Sequence, residues 1–319
     1  MTRLTLTRRQ TVLASVGVAA TAACAVNTQA AGDPLKYNVP QPGWLWQKRK
    51  LDAHTDYSER FSRRDKVIIY GADDIRTADI TEVKGAHTVV FMGGHYKPKK
   101  KKQDAVIRIA DVRNQIHAEG MVIEPAYAQD AFQFWGEDGT RPTCTFQACW
   151  MEGLDGMKST RHPDLFQPLG PIGRFRCYEC YGQSGYQGIF MSIQPNKSGA
   201  DILGIEVEKT DLEHLSSNPR VGNEYSYLIW LDHFPERGFI RDTFVTQKNG
   251  QRAEEHSVWP KVGMDGGAER EGDLIRWPES LNVEGEVTVG KRPGGPALDR
   301  ESVGIVNGRA YQNVRGYGA

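Results

Sequence analysis

The chain has 319 residues, with 40 basic and 40 acidic side chains, so its formal net charge at pH 7 is zero. This balance argues against a general nucleic-acid-binding protein, which would carry a basic excess. After residue 31, no apolar run approaches the length of about 18 residues that predicts a membrane-spanning helix. The 34 glycines favour strands and turns over a helical bundle.

The first 31 residues predict an export signal. Arg8 and Arg9 precede an uncharged run of small and apolar residues from 11 to 26, and a small-residue cleavage site follows at 28–30. A positive segment, a short apolar segment and a small residue at the cut site are the three parts of a secretory signal. The paired arginines resemble the twin-arginine signal family, which implies bacterial export of a folded protein and a periplasmic or secreted location.

A second interpretation of this segment is a lipid anchor. Cys24 follows two alanines, as an acylated cysteine does, although Thr21 stands where an aliphatic residue is usual. In that case the exported protein would be attached to a membrane through Cys24. Either way, the predicted signal contains three arginines and no acid, so the mature chain is slightly acidic.

Short β-like runs separated by turn residues occupy most of the remaining chain. The pattern predicts strands at 66–70, 74–84, 87–92, 104–110, 115–123, 187–193, 202–208, 225–232, 239–246, 252–259, 284–289 and 302–306, and a short helical turn at 211–215. We find no internal repeat. The expected fold is mainly β with a minor α component, namely a large curved antiparallel sheet or half-barrel with short helices.

The expected organisation has a signal peptide at 1–31 and a leader segment at 32–65. A single β-rich domain at 66–319 follows, with an insert at about 125–185. The insert is predicted because that stretch shows no sustained hydrophobic period.

Four cysteines remain after signal cleavage: Cys144, Cys149, Cys177 and Cys180. An even number in an oxidising compartment predicts two disulfides that cross-link the insert. Because a C-x2-C pair cannot easily bond within itself, each of Cys177 and Cys180 is expected to pair with Cys144 or Cys149. The alternatives are a structural zinc site of four thiolates and, third, redox chemistry. Apart from that zinc, no cofactor is predicted.

Three groups of neighbouring acids and histidines are candidate metal or acid–base sites. They are 52–56, with Asp52, His54 and Asp56, the pair at 232–233, and 254–256. Ordinary surface histidines are the simpler interpretation. The lysine-rich run 97–102 predicts a solvated turn. No established catalytic motif is present, so catalytic residues are not assigned and enzyme activity is not indicated.

The runs 225–232 and 239–246 predict a central hairpin. Within it, Ile229-Trp230-Leu231-Asp232, a short loop and Arg237-Gly238-Phe239-Ile240-Arg241 resemble the hairpin of the outer-membrane lipoprotein carrier superfamily. The resemblance implies a curved antiparallel half-barrel that holds lipid on its concave face. The strand at 225–232 is largely apolar on both faces and must be covered on both, so Trp230, on the second face, is the candidate ligand-binding residue and is expected to line the hollow.

The expected function is therefore that of an exported binding or carrier protein for lipid or another apolar ligand. One alternative is an extracytoplasmic hydrolase or lyase that acts on polysaccharide. Another is a structural envelope protein without a ligand. The expected partners include lipid or a small apolar molecule and exclude nucleic acid, and the mature chain is expected to lack a transmembrane segment.

Overall fold

The computed structural model describes residues 35–40, 43–100, 102–125, 127, 129–156, 163–191, 203–215, 226–231, 236–248, 251–264, 267–277 and 282–312. All of them belong to one compact unit that begins at Leu35. The predicted export signal, with Arg8, Arg9 and Cys24, lies outside these residues. Within the described ranges, no helix has the length and apolar character needed to cross a bilayer.

Strands dominate the structure. In chain order they are β1 (Gln47–Lys50), β2 (Tyr57–Phe61), β3 (Lys66–Tyr70), β4 (Thr81–Gly85), β5 (Thr88–Met92), β6 (His95–Tyr96), β7 (Ala105–Val112), β8 (Gln115–Glu119), β9 (Val122–Ile123), β10 (Asp130–Gly136), β11 (Thr143–Gln147), β12 (Trp150–Leu154), β13 (Asp164–Pro168), β14 (Arg174–Tyr178), β15 (Tyr181–Ser184), β16 (Gln187–Met191), β17 (Gly204–His214), β18 (Ile229–Leu231), β19 (Arg237–Val245), β20 (Val258–Trp259), β21 (Glu269–Glu271), β22 (Leu274–Arg276), β23 (Val283–Val289), β24 (Ile305–Val306) and β25 (Arg309–Ala310). The helical elements are α1 (Ala253–His256) and a 3-10 turn at Arg300–Ser302.

Most of these strands form three sheets in which neighbouring strands run parallel, and the chain contributes one strand to each sheet before it returns to the first. Sheet 1 has the order β2-β4-β7-β10-β13-β16-β18-β20. Sheet 2 contains β1, β3, β5, β8, β11, β14 and the first parts of β17, β19 and β23. Sheet 3 contains β6, β9, β12, β15 and the second parts of β17, β19 and β23. One strand from each face makes one coil, so the protein is a parallel β-helix.

The coils stack in register. Val67, Val89, Ile116, Cys144, Phe175 and Ile205 follow one another across sheet 2. One coil therefore takes 22 to 31 residues between these positions, within the usual range for solenoid repeats. The prediction that the chain has no internal repeat is wrong in this structural sense, since the repeat lies mainly in backbone position and only rarely in residue identity.

A left-handed residue makes the corner between sheets 2 and 3. Gly93, Gly120, Ala148, Glu179 and Lys209 occupy equivalent positions in successive coils, with φ of 68°, 69°, 49°, 51° and 49°. A positive φ costs a non-glycine residue about 1–2 kcal/mol. The corner turns the chain without a loop, so the outward side chains of both sheets stay aligned from coil to coil.

The interior of the helix is filled by apolar side chains. Its centre is a stack of rings whose centroids lie 4.8 to 6.2 Å apart, made by Phe132, Phe134, Phe146, Phe166 and Phe175. Rings in such offset contacts stabilise a core beyond their buried area. The coils therefore enclose a packed core.

The mainly β composition is confirmed, but the antiparallel half-barrel is wrong. β18 pairs with β16 and β20 in sheet 1, whereas β19 pairs with β17 and β23 in sheet 2, all in parallel. The predicted hairpin is thus two successive strands of one coil, which do not pair with each other. Antiparallel pairing is confined, in the described chain, to β21-β22-β23 and β24-β25.

Three further expectations are corrected. The proposed insert at about 125–185 contributes β10 to β15, which lie in the middle of all three faces. The leader segment likewise contains β1 and β2, so the domain begins before residue 66. In addition, the predicted helical turn at 211–215 belongs to β17. A short apolar run on its own can be a buried strand or a helical turn. Here the segment is a strand, because it pairs with strands of neighbouring coils.

The end of the described chain lies against the corner between sheets 2 and 3. The Tyr311 hydroxyl donates a hydrogen bond of 2.9 Å to Oε1 of the buried Glu119, and Gln147 Nε2 donates to the other oxygen at 2.6 Å. Gly120 lies directly beneath the Tyr311 ring, where an added Cβ would come within 2.0 Å of a ring carbon. A glycine at this corner therefore makes room for Tyr311.

We predict that Gly120→Ala destabilises the fold more than Gly153→Ala. Both glycines have positive φ, 69° and 73°, so both substitutions carry the left-handed backbone cost of about 1–2 kcal/mol. Only Gly120→Ala also displaces Tyr311, because a Cβ on Gly153 would meet nothing within 4 Å. Loss of the buried Tyr311 hydrogen bond adds about 1–3 kcal/mol, measurable by urea unfolding. Equal destabilisation of the two variants would contradict the packing of Tyr311 on this corner.

Candidate functional site

The outer surface of sheet 1 carries a continuous row of large side chains. In β10, Phe132 and Phe134 are buried in the core and Gln133 lies between them on the opposite face. In β18, Ile229 and Leu231 are buried and Trp230 is half-exposed. Alternation along each strand and parallel register between strands align these outward positions. The row, here called the outer ladder, consists of Ser58, Glu82, Arg108, Gln133, Gln167, Phe190, Trp230 and Trp259.

The outer ladder changes character along the helix. Its middle positions are hydrogen-bonding side chains, and its last three are aromatic. Gln133 Nε2 donates to Gln167 Oε1 at 3.1 Å and to Asp130 Oδ2 at 2.7 Å. The amides are therefore fixed in orientation, with Gln167 half-exposed.

A pair of carboxyl groups stands at the start of these two strands. Asp130 and Asp164 are brought together by the register of β10 and β13, and the Asp164 backbone N–H donates to Asp130 Oδ1 at 2.8 Å. Asp164 is fully buried, and within the described part of the chain neither of its carboxyl oxygens has a hydrogen-bond partner. Burial raises the pKa of Asp164 well above its usual value, and the charge of Asp130 raises it further.

This arrangement favours the protonated form of Asp164. A charged carboxylate buried without partners would be strongly unfavourable, so the neutral acid is the stable form. A carboxylic acid held next to a second carboxyl group is the arrangement that enzymes use for paired acid and base roles. Strongly shifted pKa values of this kind are concentrated at functional sites.

A sequence signal for this pair exists but was missed. Asp130-Ala131-Phe132-Gln133 and Asp164-Leu165-Phe166-Gln167 are two copies of D-x-F-Q in successive coils. The phenylalanines stack in the core, with centroids 5.8 Å apart, while the glutamines meet outside. Such a short repeat is recognisable only once the coil period is known.

Trp230 is the centre of the aromatic end of the outer ladder. Its ring lies 5.3 Å from Phe190 and from Trp259, and 5.0 Å from Tyr227, centroid to centroid. Its buried Nε1 has no hydrogen-bond partner among the described residues. The prediction that Trp230 lines a hollow is wrong in its geometry, because this side chain lies on an outer face. Its role in ligand binding remains a prediction.

A second group of residues lies on sheet 3. The cavity there has a volume of about 440 Å³ and is bordered by Trp150, Tyr181 and the segment 290–296. The Trp150 and Tyr181 rings stack on each other at 4.0 Å, so each has one face covered by the other. The cations of the segment are already paired, Lys291 with Glu213 at 2.7 Å and Arg292 with Asp211 at 2.9 Å.

Two glutamates near this cavity, Glu124 and Glu152, each accept hydrogen bonds from neighbouring side chains. His95 holds the pKa of Glu124 well below its usual range, and Arg300 also contacts Glu124, at 3.0 Å. Burial raises the pKa of Glu152, which accepts a hydrogen bond of 2.8 Å from Trp150 Nε1. These contacts attach the chain end to sheet 3, so we interpret this group as structural.

The four cysteines are fully buried free thiols in the structure. Cys149 and Cys180 occupy equivalent positions in successive coils and their thiols are hydrogen-bonded, and Cys177 also contacts Cys180. Cys144 lies in register with Phe175, so stacking does not pair it with Cys177. Disulfide formation remains a prediction, for which the register favours Cys149 with Cys180.

Zinc binding at the cysteines lacks geometric support. Burial raises the pKa of Cys144, Cys149 and Cys177 well above the usual value, which opposes the thiolate form that zinc requires. Across the described ranges, no group of three or more histidine, cysteine or acidic side chains is placed to hold a metal ion.

The acid–histidine neighbours predicted from sequence are not assembled into a site. Asp52 accepts hydrogen bonds from the backbone of His54 and Thr55 at 2.7 and 2.8 Å, which forms a local turn. Asp56 pairs with Lys102 at 3.0 Å. Glu254 binds Arg270 at 2.7 Å, and the predicted pair at 232–233 lies outside the described residues.

Comparison of the chain with protein-family models, curated proteins and solved structures gave no match. The candidate site therefore rests on the geometry of sheet 1 alone.

We predict that Asp164 makes the stability of the fold decrease as pH rises. Its native pKa lies above the unfolded value of about 3.9, so its contribution is complete below about pH 4. That contribution is lost as pH rises towards the native pKa. Asp164→Asn keeps the group neutral in both states, so its free energy of unfolding should improve relative to the parent by up to about 1.4 kcal/mol per pH unit above pH 4.5.

Urea unfolding at pH 4.5 and 7.5 measures this difference. Asp273→Asn is the matched control, because that carboxyl is 81 % exposed and should give no such trend. A parent and an Asp164→Asn variant with the same pH dependence would show that Asp164 ionises normally in the native protein.

Proposed function

We propose that this protein is an extracytoplasmic polysaccharide hydrolase that binds an extended glycan along the outer ladder. The observation that carries the proposal is the combination of oriented amides and an aromatic cluster on one sheet face, with the buried Asp130–Asp164 pair linked to that face by the hydrogen bond from Gln133 to Asp130. The extracytoplasmic location rests on the export signal predicted from the sequence.

The chemistry of the outer ladder suits a carbohydrate polymer. Amide groups donate to and accept from sugar hydroxyls, as the half-exposed Gln167 is placed to do, held in orientation by the buried Gln133. Aromatic rings such as Trp230 offer large apolar surfaces for the C–H faces of sugar rings. Because coils repeat every 4.8 Å or so, an elongated ligand meets equivalent positions one after another.

The carboxyl pair supplies the acid–base roles. Asp164 is fully buried, so the proposal requires that glycan binding expose it. Asp164 would then give its proton to the glycosidic oxygen of the leaving sugar, and Asp130 would accept a proton from the attacking water. The glycosidic C–O bond breaks, a C–O bond to water forms, and the two carboxyl groups exchange protonation states. This division of labour is the usual one in glycoside hydrolysis. A lyase that uses the same pair to abstract and return a proton is the second candidate.

A lipid carrier is less well supported by this geometry. The inward side chains form one continuous core, from Leu51 to Val289, and the aromatic cluster around Trp230 lies outside it. A surface ladder is suited to an elongated polar ligand, whereas an acyl chain needs an apolar cavity.

We predict that two variants separate binding from cleavage. Trp230→Ala should weaken retention of the protein in gels containing the polysaccharide, because it removes the centre of the aromatic cluster. Asp164→Asn should bind normally but release new reducing ends about 100-fold more slowly or worse, the usual effect of losing a general acid. A panel of neutral and acidic polysaccharides supplies the substrate.

Trp150→Ala on sheet 3 is the control and should match the parent in both assays. Full activity of Asp164→Asn would remove the acid role from that residue. Binding lost in Trp150→Ala and kept in Trp230→Ala would place the glycan on sheet 3. Binding to no polysaccharide, with a lipid found by native mass spectrometry, would replace the proposal with the carrier function.

A further inference from the structure

Arg108 occupies the outer ladder next to Gln133, one coil away from it. Its side chain is 37 % exposed, and its neighbours in β7, Ile107 and Ile109, are buried in the core. The guanidinium therefore lies on the face assigned to the glycan, directly beside the oriented amides.

The hydrogen-bonding capacity of this guanidinium is largely unused within the described structure. Nε is buried and has no hydrogen-bond partner, so the exposed part of the side chain is the two Nη groups, whose nearest carboxylate contact is a long one, 3.7 Å from Nη1 to Glu82 Oε1. The other carboxylate oxygen of Glu82, Oε2, accepts a hydrogen bond from Ser58 Oγ at 2.9 Å and forms an ion pair with Lys84 Nζ at 3.0 Å. A guanidinium has five N–H donors, so most of them remain available for a ligand.

The guanidinium is also held in place. Its central carbon lies 5.0 Å from the centre of the Trp135 ring, and Trp135 is fixed by a 3.1 Å hydrogen bond from Nε1 to Asp111 Oδ1. Stacking on an aromatic ring orients the planar fork before a ligand arrives, and this reduces the entropy lost on binding. An oriented fork is suited to the two oxygens of a carboxylate or a sulfate.

Building on the proposed function, we infer that the glycan is anionic and that Arg108 binds its carboxylate or sulfate group. An anionic sugar at Arg108 would have Gln133 as its neighbour on the next coil, with the Asp130–Asp164 pair beyond. Because burial favours the protonated form of Asp164, the acidic pair repels such a ligand less than two charged carboxylates would.

The test compares a uronic-acid polymer with its methyl-esterified form and with a sulfated glycan, using the full mature chain and Arg108→Gln. The expected result is that Arg108→Gln lowers affinity for the uronic-acid polymer or the sulfated glycan by about tenfold or more, the value of a hydrogen bond to a charged group. Affinity for the methyl ester should be unchanged. The arm that loses affinity identifies the anionic group.

Two further variants complete the experiment. Arg108→Lys should restore only part of the affinity, since an ammonium cannot bind two oxygens as a planar fork does. Arg276→Gln removes a half-exposed cation from β22 and should bind like the parent. Far-ultraviolet circular dichroism and unfolding midpoints confirm that each variant is folded.

Equal losses for charged and esterified polymers, or no loss for either charged polymer, would overturn the inference about Arg108. Tighter binding of the methyl ester than of both anionic glycans would overturn it while leaving the polysaccharide-binding function in place. Binding of none of the three polymers would overturn both.

Discussion

In-register parallel stacking is the constraint on which the rest of this structure depends. A single coil has too few residues to bury its own apolar face, so each coil is stable only between its neighbours. Stacking places Phe132 over Phe166 in the core, and the same register places Gln133 beside Gln167 on the outside. The candidate site is thus a direct consequence of how the core is packed.

The same stacking explains why residues far apart in sequence become neighbours. Asp130 and Asp164 meet because both begin strands of sheet 1 in adjacent coils. A one-residue slip would move the glutamines inward and expose the phenylalanines, so the hydrophobic core fixes the register. The buried Asp164 is tolerated within a framework that is otherwise well packed.

Sequence reasoning located many strands but not their pairing. β3, β5, β7 and β23 closely match the predicted runs, because β3 and β5 are short apolar runs bounded by turn residues, and β7 and β23 alternate apolar with polar residues. Alternation does not report strand direction, so the chain from β18 to β19 was interpreted as a hairpin. The corners between sheets 2 and 3 could not be predicted either. Ala148, Glu179 and Lys209 adopt the left-handed backbone conformation there, and the sequence offers no glycine at these positions to indicate a turn.

The candidate site was only partly predictable. Trp230 was identified as a ligand-binding residue from the composition of its strand, although the expected hollow is an outer face. The sequence around Asp164 and Arg108 does not indicate a functional role. Asp164 is buried, and Arg108 has unused hydrogen-bond donors, only because of how neighbouring coils are placed. The repeated D-x-F-Q segments were the nearest clue, and their meaning depends on the coil period.

The most direct test of the account is a crystal structure of the protein with a bound oligosaccharide from the polymer that it binds. We expect density for the sugars along the outer ladder, with a ring against the aromatic cluster at Trp230 and a glycosidic oxygen near Asp164. A sugar bound instead in the sheet 3 cavity beside Trp150 and Tyr181, or strands that do not stack as a parallel β-helix, would contradict the central claim.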